Sequence, residues 1–350
     1  MSRRLVALVL ALVLAGFGGW LMMRDGLDRL IAVHTLFDED RIVENFSHMD
    51  RLFHSAAMPT PVHEPSPLPR APTPAAMPAG FAAWVAERNI TSVVVVSRGE
   101  VAFEEYYLGT SPDDRRVSWS MGKGFLAALF GISVLNGEIA SLDDPVTKYA
   151  PALEGSAYDG ATIRNVLNMA SGVEFDEDYG DFWSDINKMG RVIALGGSLD
   201  EFTASIDTRR GSPGEAFHYV SMDTHALGMV LRGATGKRIP TLMNERLFTP
   251  MRLEADPYYL TDSDGNAFVL GGLNLTTRDY ARFGQLVLEG GALNGVEIIP
   301  EAWVEDMLAP SAPKTSGSRY GYQWWIPRDA GPGEVFARGV YGQYVWIDRG

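Results

Sequence analysis

The chain has 350 residues, of which 46% are hydrophobic and 21% are charged, and its formal net charge at pH 7 is −14. This composition is typical of a globular protein with one large or two moderate domains. The negative charge argues against binding to nucleic acid or to anionic membrane surfaces, because both require basic patches. The absence of cysteine excludes disulfides, thiolate nucleophiles, cysteine-ligated metals and an N-terminal lipoprotein anchor.

An apolar stretch from Leu5 to Met23 lies near the start of the chain, with Arg3 and Arg4 before it. A helix of this length is just able to cross a bilayer, and the basic flank keeps the N-terminus in the cytoplasm. We therefore expect residues 1–26 to be a signal anchor or a signal peptide that exports the rest of the chain to the periplasm or cell envelope. Since no small-x-small cleavage site follows, the uncleaved anchor, in contact with the membrane, is favoured over the signal peptide and over a buried core helix.

The next segment, 27–79, has weak helical periodicity in its first half and eight prolines between Met58 and Pro78. Proline lacks the N–H group that helices and sheets require. The composition predicts an extended proline-rich linker, or a segment that wraps along a surface, and a folded domain that spans 80–350.

The predicted elements after residue 80 fall into three blocks. The first is a short helix over 81–88 and a hairpin with strands at 91–96 and 101–107, the first strand being apolar enough for burial on both faces. The second block runs from about 118 to 260 and is helical, with helices at 124–136, 162–169, 223–234 and 239–247. The third adds a helix at 276–289 and strands at 320–326, 335–338 and 344–348. This order predicts an α+β fold, in which helices flank a sheet built from both chain ends and an all-helical domain is inserted, with a cleft between the two parts.

The chemistry-bearing motif is Ser120 and Lys123 at the start of the helix predicted over 124–136. Residues at i and i+3 on a helix share one face, so the hydroxyl and the amine are able to touch. Such a pair makes a serine nucleophilic without histidine, and it indicates an acyl-transfer hydrolase. A second Ser-x-x-Lys copy, Ser311 and Lys314, contains Pro313 and is interpreted as loop.

A serine–lysine pair needs a second proton carrier and an oxyanion hole. Tyr219 lies just before a predicted helix, and Gly339 lies in a strand context, where glycine permits close approach of a ligand or another backbone. His218 and His225 raise the possibility of a Ser-His-Asp triad, but the chain has no Gly-x-Ser-x-Gly motif, so a histidine mechanism is disfavoured. An acidic loop over 174–183 is interpreted as a substrate-lining or solvated loop rather than a metal site, because it contains no histidine and no regular ligand spacing.

The motif order Ser-x-x-Lys, Tyr-x-Ser and a glycine-containing strand resembles that of the serine β-lactamase and penicillin-binding superfamily. The chain is most similar to its class C-like branch, which includes family VIII esterases and 6-aminohexanoate-dimer hydrolases. Further stretches that carry the resemblance are 141–146, 167–173, 271–274, 278–282 and 339–343. The resemblance implies a β-lactamase/transpeptidase-like fold, with no metal and no cofactor.

The same resemblance implies roles for individual residues. Ser120 would be the acyl-forming nucleophile, Lys123 its base and Tyr219 the second proton carrier. The backbone N–H groups of Ser120 and Val340 would form the oxyanion hole. We also expect substrate contacts from Gly339 and, in the acidic loop, from Tyr179 and Asp181.

The chain departs from the family pattern at two places. The family's Lys/His-Thr-Gly motif appears as Ala337-Arg338-Gly339, which favours an esterase or amidase acting on a small ester or linear amide over a β-lactamase. The chain also ends at Gly350, a few residues after the last predicted strand, where relatives continue. Two alternatives stay open: a D-Ala-D-Ala-type peptidase or weak β-lactamase, and a catalytically silent sensor domain.

Overall fold

The structure is a computed structural model that describes residues 26–350 apart from positions 62, 316 and 318. The predicted membrane segment, Leu5 to Met23, lies outside the described residues. Within the described part of the chain, no helix has both the length and the apolar character needed to span a bilayer.

The described residues form twelve α-helical segments and twelve strands. The helices are α1 (26–35), α2 (Ile42–Ser47), α3 (Phe81–Glu87), α4 (Lys123–Leu135), α5 (Ile163–Leu167), α6 (Asp185–Ala194), α7 (Leu199–Ala204), α8 (Ser221–Thr235), α9 (Ile239–Met243), α10 (Thr249–Met251), α11 (Thr277–Leu288) and α12 (Glu301–Leu308). The strands are β1 (Ser55–Ala57), β2 (Ser92–Ser97), β3 (Glu100–Tyr106), β4 (Arg116–Val117), β5 (Tyr258–Leu260), β6 (Leu273–Leu275), β7 (Ala292–Leu293), β8 (Val296–Glu297), β9 (Arg319–Gly321), β10 (Trp324–Ile326), β11 (Val335–Gly339) and β12 (Gln343–Ile347).

The strands form two four-stranded sheets and two hairpins, and all their pairings are antiparallel. One sheet has the order β1-β5-β6-β4 and the other the order β12-β11-β10-β9, while β2 pairs with β3 and β7 with β8. Between β4 and β5 the chain is fully described and contains helices and turns, with no β-pairing longer than an isolated bridge.

Helix α4 lies in the middle of the core. Its residues from Lys123 to Ser133 are all buried, as expected for a helix that is apolar on every side. It packs against α8 and α12, and it follows directly from a single 3-10 turn, Trp119–Gly122. Because this turn carries Ser120, a helix buried along most of its length fixes the position of that hydroxyl.

The segment 27–79 is not the extended linker that its composition suggested. Phe46, Met49 and Met58 are buried in the main core, and β1 pairs along its length with β5. The proline-rich part has no helix or strand of its own among its described residues, but it is bound to the fold by backbone hydrogen bonds from Ser66 and Ala71. The apolar side chains before the prolines therefore bury as part of the domain, and the proline-rich part wraps along its surface.

Two strand predictions also need correction. The run 320–326 is two strands, β9 and β10, joined by a tight turn in which Tyr322 and Gln323 have positive φ angles of 29° and 75°. Neither of these two central residues is glycine or asparagine, so the usual sequence signal for such a turn is absent. Strand β2 is only partly buried rather than buried on both faces, since its hairpin packs on one side against α11 and Val95 remains exposed.

Candidate active site

Ser120 and Lys123 are brought together as the spacing predicted. Nζ of Lys123 lies 3.0 Å from Oγ of Ser120, and the lysine is only 1% exposed. Trp119, directly before the serine, has a φ of +43°, a left-handed conformation that is uncommon for a bulky residue and is often found at functional sites. The second copy of the motif is different, because it lies after α12 in a region without regular structure and Lys314 pairs with Glu215.

The amine of Lys123 has three polar neighbours. Besides Ser120, Nζ lies 2.9 Å from the carbonyl oxygen of Leu270 and 3.3 Å from Oγ of Ser221. A neutral amine has two N–H groups and one lone pair. It is therefore able to donate to the oxygens of Leu270 and Ser221 while it accepts the proton of Ser120.

Burial lowers the pKa of Lys123 to about 7, against the opposing influence of the carboxyl groups of Glu177 and Asp223. Desolvation disfavours the charged form of a buried lysine. A substantial fraction of the amine is therefore unprotonated near neutral pH, as a general base requires.

Ser221 and Glu177 are site residues that the sequence analysis missed. Glu177 accepts hydrogen bonds from both the backbone N–H and the hydroxyl of Ser221, the latter at 3.0 Å. Ser221 is the first residue of α8 and the third position of the Tyr-x-Ser motif, so the motif carried a signal for it. Glu177 lies in the acidic loop, where nothing in the local sequence distinguishes it from its acidic neighbours. Burial is also the largest influence on Glu177, and it raises the pKa of that carboxyl.

The ring of Tyr219 lies next to the same amine. Nζ of Lys123 is 5.4 Å from the ring centroid, and the ring stacks on Trp325 at 5.5 Å. Burial raises the pKa of the Tyr219 hydroxyl above its usual value, an effect that the nearby hydroxyl of Ser120 only partly offsets. The phenol therefore remains protonated at neutral pH and is suited to donate a proton.

The end of β11 lies against the turn that carries Ser120. A Cβ on Gly339 would stand 2.5 Å from the carbonyl oxygen of Ser118 and 2.8 Å from Cβ of Trp119, so only glycine fits there. This contact places Val340, the next residue, beside the nucleophile turn. Arg338 is exposed and stacks on the ring of Trp325, with 4.2 Å between its Cζ and the ring centroid.

The two acidic-loop residues predicted to contact substrate differ in position. Tyr179 lines a cavity at Ser120, although 41% of its surface is exposed. Asp181 is exposed, is not one of the residues that line this cavity, and accepts a hydrogen bond from the backbone of Trp183 within its own loop.

The histidine alternative finds no support in the contacts of His225. Its Nε2 lies 2.8 Å from Oδ1 of Asp200, which also receives two hydrogen bonds from Arg232. This partly buried cluster holds α7 against α8. His225 therefore has a structural partner on a neighbouring helix.

The cavity at Ser120 has a volume of about 90 Å³. Its walls are mainly apolar, and none of the described residues that line it is charged. One wall is formed by residues of 27–79, which the sequence analysis had assigned to a linker. The apolar lining of this cavity could therefore not be predicted from the sequence.

Comparison with known proteins identifies the family. The Beta-lactamase family model matches residues 81–350. The 6-aminohexanoate-dimer hydrolase of Paenarthrobacter ureafaciens is 31% identical over 279 residues, which are 75% of this chain and 70% of that protein.

Two solved structures show the same fold. A Bacillus anthracis protein described as a 6-aminohexanoate-dimer hydrolase has a TM-score of 0.76 and 24% identity, with 90% of this chain and 87% of the other covered. A family VIII carboxylesterase has a TM-score of 0.52 and 17% identity, with 67% and 74% covered. The α+β fold of β-lactamases and transpeptidases, predicted from the sequence, is thereby confirmed, and the chain belongs to the Beta-lactamase family as a serine hydrolase of that superfamily.

Proposed function

We propose that the protein hydrolyses small esters or linear amides through an acyl-enzyme on Ser120. The observation that carries the proposal is the 3.0 Å contact between Oγ of Ser120 and a buried lysine amine whose pKa is lowered to about 7. This arrangement supplies a nucleophile and a base without histidine or metal.

In the acylation step, Lys123 accepts the proton of Ser120 while Oγ attacks the substrate carbonyl carbon. The resulting oxyanion is stabilised by the backbone N–H groups of Ser120 and Val340. Aimed donors of this kind contribute about 10²–10³ in rate each. The contact between Gly339 and the nucleophile turn supports this assignment, because it holds Val340 close to Ser120.

When the intermediate collapses, Tyr219 donates its proton to the departing alcohol or amine. The ammonium of Lys123 returns a proton to Tyr219, and the hydroxyl of Ser221 lies within reach of that amine to assist the transfer. Water then attacks the acyl carbonyl carbon while the neutral amine of Lys123 accepts its proton. The bond between that carbon and Oγ of Ser120 breaks, Lys123 returns the proton to Oγ, and the carboxylic acid is released with Ser120 restored.

The residues around Ser120 and Lys123 indicate the class of substrate. Ala337 stands where the family motif has lysine or histidine, and Arg338 is exposed and lies over the ring of Trp325. The missing lysine or histidine disfavours the substrate-carboxylate recognition of β-lactamases and D-Ala-D-Ala peptidases. The cavity has no charged lining residue among those described, which favours uncharged substrates. The names of the relatives, a 6-aminohexanoate-dimer hydrolase and a carboxylesterase, agree with an amide or ester bond as the target.

The test is intact-mass analysis after incubation with an activated ester, combined with steady-state hydrolysis. We expect one acyl adduct, mapped to Ser120, and loss of both adduct and turnover in Ser120→Ala. Ser311→Ala, from the second Ser-x-x-Lys copy, is the matched control and should keep wild-type turnover. Stoichiometric labelling by penicillin without ester turnover would instead support the sensor alternative, and absence of any adduct would reject the acyl-enzyme.

We also propose that residues 1–26 direct the domain out of the cytoplasm and keep it at the membrane. The apolar stretch from Leu5 to Met23 and its basic flank support this proposal. Fractionation of cells that express the full chain should place it in the membrane fraction, whereas a chain begun at residue 27 should remain in the cytoplasm. Equal distribution of the two chains would reject the proposal.

A further inference from the structure

The cavity beside Ser120 has two mainly apolar walls. One wall is the face of α6 that carries Ile186, Met189, Gly190 and Ile193, at intervals of three and four residues along the helix. The other wall comes from the N-terminal segment, with Val33, Leu36, Phe37, Met49 and Phe53.

The N-terminal wall is held in place by direct contacts with the active-site elements. Phe37 stacks on Tyr341 at 4.6 Å and lies 5.7 Å from the ring of Trp119, the residue before the nucleophile. Nε of Arg29 donates to the carbonyl oxygen of Ala194 at the end of α6, at 3.1 Å. Phe37 and Arg29 precede the family match, which begins at 81, so this wall lies outside the part of the chain that the family model describes.

The position of Tyr219 indicates which part of a substrate enters the cavity. Tyr219 packs on Tyr320 and Trp325 and is not one of the cavity-lining residues. A leaving group must meet the proton donor, so it lies on the side of Tyr219. The acyl chain is then directed to the other side of Ser120, where the cavity opens.

We propose that this cavity is the acyl-binding site, that it selects an uncharged, unbranched acyl group of about four to six carbons, and that the N-terminal segment sets this selectivity. The inference rests on the proposed acyl-enzyme function of Ser120. A volume of about 90 Å³ is enough for several water- or methylene-sized groups but not for a long acyl chain. Those methylenes lie beyond the carbonyl carbon and the first carbons, which occupy the cleft at Ser120. A charged end is disfavoured because none of the described lining residues carries a charge that would compensate its desolvation.

The first experiment measures kcat/KM of the full chain for 4-nitrophenyl esters with acyl chains from acetyl to dodecanoyl. We expect an increase of about fourfold per methylene up to butanoyl or hexanoyl, the gain for burying one CH₂ group, and a fall for longer chains. The 6-aminohexanoyl ester should react at least about tenfold more slowly than the hexanoyl ester. No turnover with any ester would reject the proposed function itself. Turnover that is indifferent to chain length, or equal for the two six-carbon esters, would overturn only the acyl-site inference.

The second experiment fills or charges the two walls. A Cβ on Gly190 meets no atom within 4 Å, so Gly190→Leu adds its side chain to open space, and it replaces a glycine inside a helix by a better helix former. We expect the ratio of kcat/KM for hexanoyl over acetyl to fall about tenfold or more, and Gly190→Ala to lower it less. Because the ratio is internal to each protein, partial unfolding does not change it.

Val33→Asp tests the N-terminal wall, with Ile31→Asp as the matched control. Ile31 lies on the same helix but is 53% exposed and is not one of the cavity-lining residues. We expect the hexanoyl-to-acetyl ratio to fall about tenfold or more in Val33→Asp and to stay unchanged in Ile31→Asp. An unchanged ratio in Val33→Asp, or an equal fall in both variants, would remove the N-terminal segment from acyl selection.

Discussion

Gly339 and Ser118 are in backbone contact, with 2.5 Å between the serine carbonyl oxygen and the place where a Cβ of residue 339 would lie. The distance leaves no space for any side chain. It fixes the separation between β11 and the turn that carries Ser120, and therefore the separation of the two N–H groups assigned to the oxyanion.

Gly339→Ala should consequently displace β11 from the nucleophile turn. We expect kcat to fall by about 10²–10³, the value of one oxyanion donor, with only modest destabilisation in thermal unfolding. Gly342→Ala is the control, because that glycine has a φ of +83° but no atom within 4 Å of its would-be Cβ. It should lose some stability and keep its turnover. Wild-type kcat in Gly339→Ala would show that Val340 does not contribute to the oxyanion hole.

The pKa of about 7 for Lys123 predicts the pH dependence of acylation. The active form is the neutral amine, so kcat/KM should rise with pH through about 7 and reach a plateau above it. The measurement is the rate of a neutral ester between pH 5 and 9, corrected for spontaneous hydrolysis. A profile that is flat or falls over this range would exclude the amine as the base.

Glu177→Gln should move the pH profile of kcat/KM to lower pH. The negative charge of Glu177 favours the protonated amine, so its removal lowers the pKa of Lys123 further, by about one unit for a close charge. Asp178→Asn is the matched control, since it removes a charge from the same loop and keeps an oxygen for the backbone N–H of Gly180. We expect a shifted midpoint in Glu177→Gln only. If the wild type, Glu177→Gln and Asp178→Asn all had the same midpoint in the pH profile, Glu177 would act on Ser221 alone.

Replacing Asp223 by asparagine should raise the free energy of unfolding by an amount that depends on pH. It is fully buried on the first turn of α8, and burial raises the pKa of its carboxyl to about 8 from its ordinary 3.8. A raised pKa means that the stability contributed by the protonated form is complete below pH 3.8 and is lost as pH rises towards 8. Asp223→Asn, which stays neutral, should match the wild type near pH 4 and exceed it by a few kcal/mol near pH 8, at about 1.4 kcal/mol per unit of pKa. Urea unfolding at pH 4, 6 and 8 measures the difference.

Asp200→Asn serves as the control of opposite sign. Burial tends to raise the pKa of Asp200, but hydrogen bonds from His225 and Arg232 outweigh it and lower the pKa to about 2. This carboxylate contributes stability above pH 3.8 and loses it as pH falls towards 2, so the asparagine variant should be destabilised at neutral pH. If the two variants changed stability in the same direction at pH 8, the assigned charge states would be wrong.

The sequence predicted the features that depend on short-range spacing. Ser120 and Lys123 are three residues apart at the start of α4, so helical periodicity alone placed them on one face. The contact between Glu177 and Ser221 joins residues 44 apart, and no local pattern specifies such a pair. The turn at Tyr322 and Gln323 is likewise imposed by packing, because its residues have no intrinsic preference for positive φ.

The packing of the N-terminal segment could not be predicted from the sequence for a different reason. Its prolines correctly excluded regular structure from the described part of 58–78, but the short strand β1 carries only small side chains and has no detectable alternation. Its partner, β5, lies about two hundred residues later, and only the folded chain brings the two together.

The pairing of β1 with β5 has a practical consequence for anyone who shortens this protein. A chain begun at residue 81, where the family match starts, would leave the backbone N–H and C=O groups of β5 open at the end of a sheet. Open strands of that kind recruit other chains and promote aggregation. Recombinant versions should therefore begin upstream of Ile42 if they are to remain monodisperse.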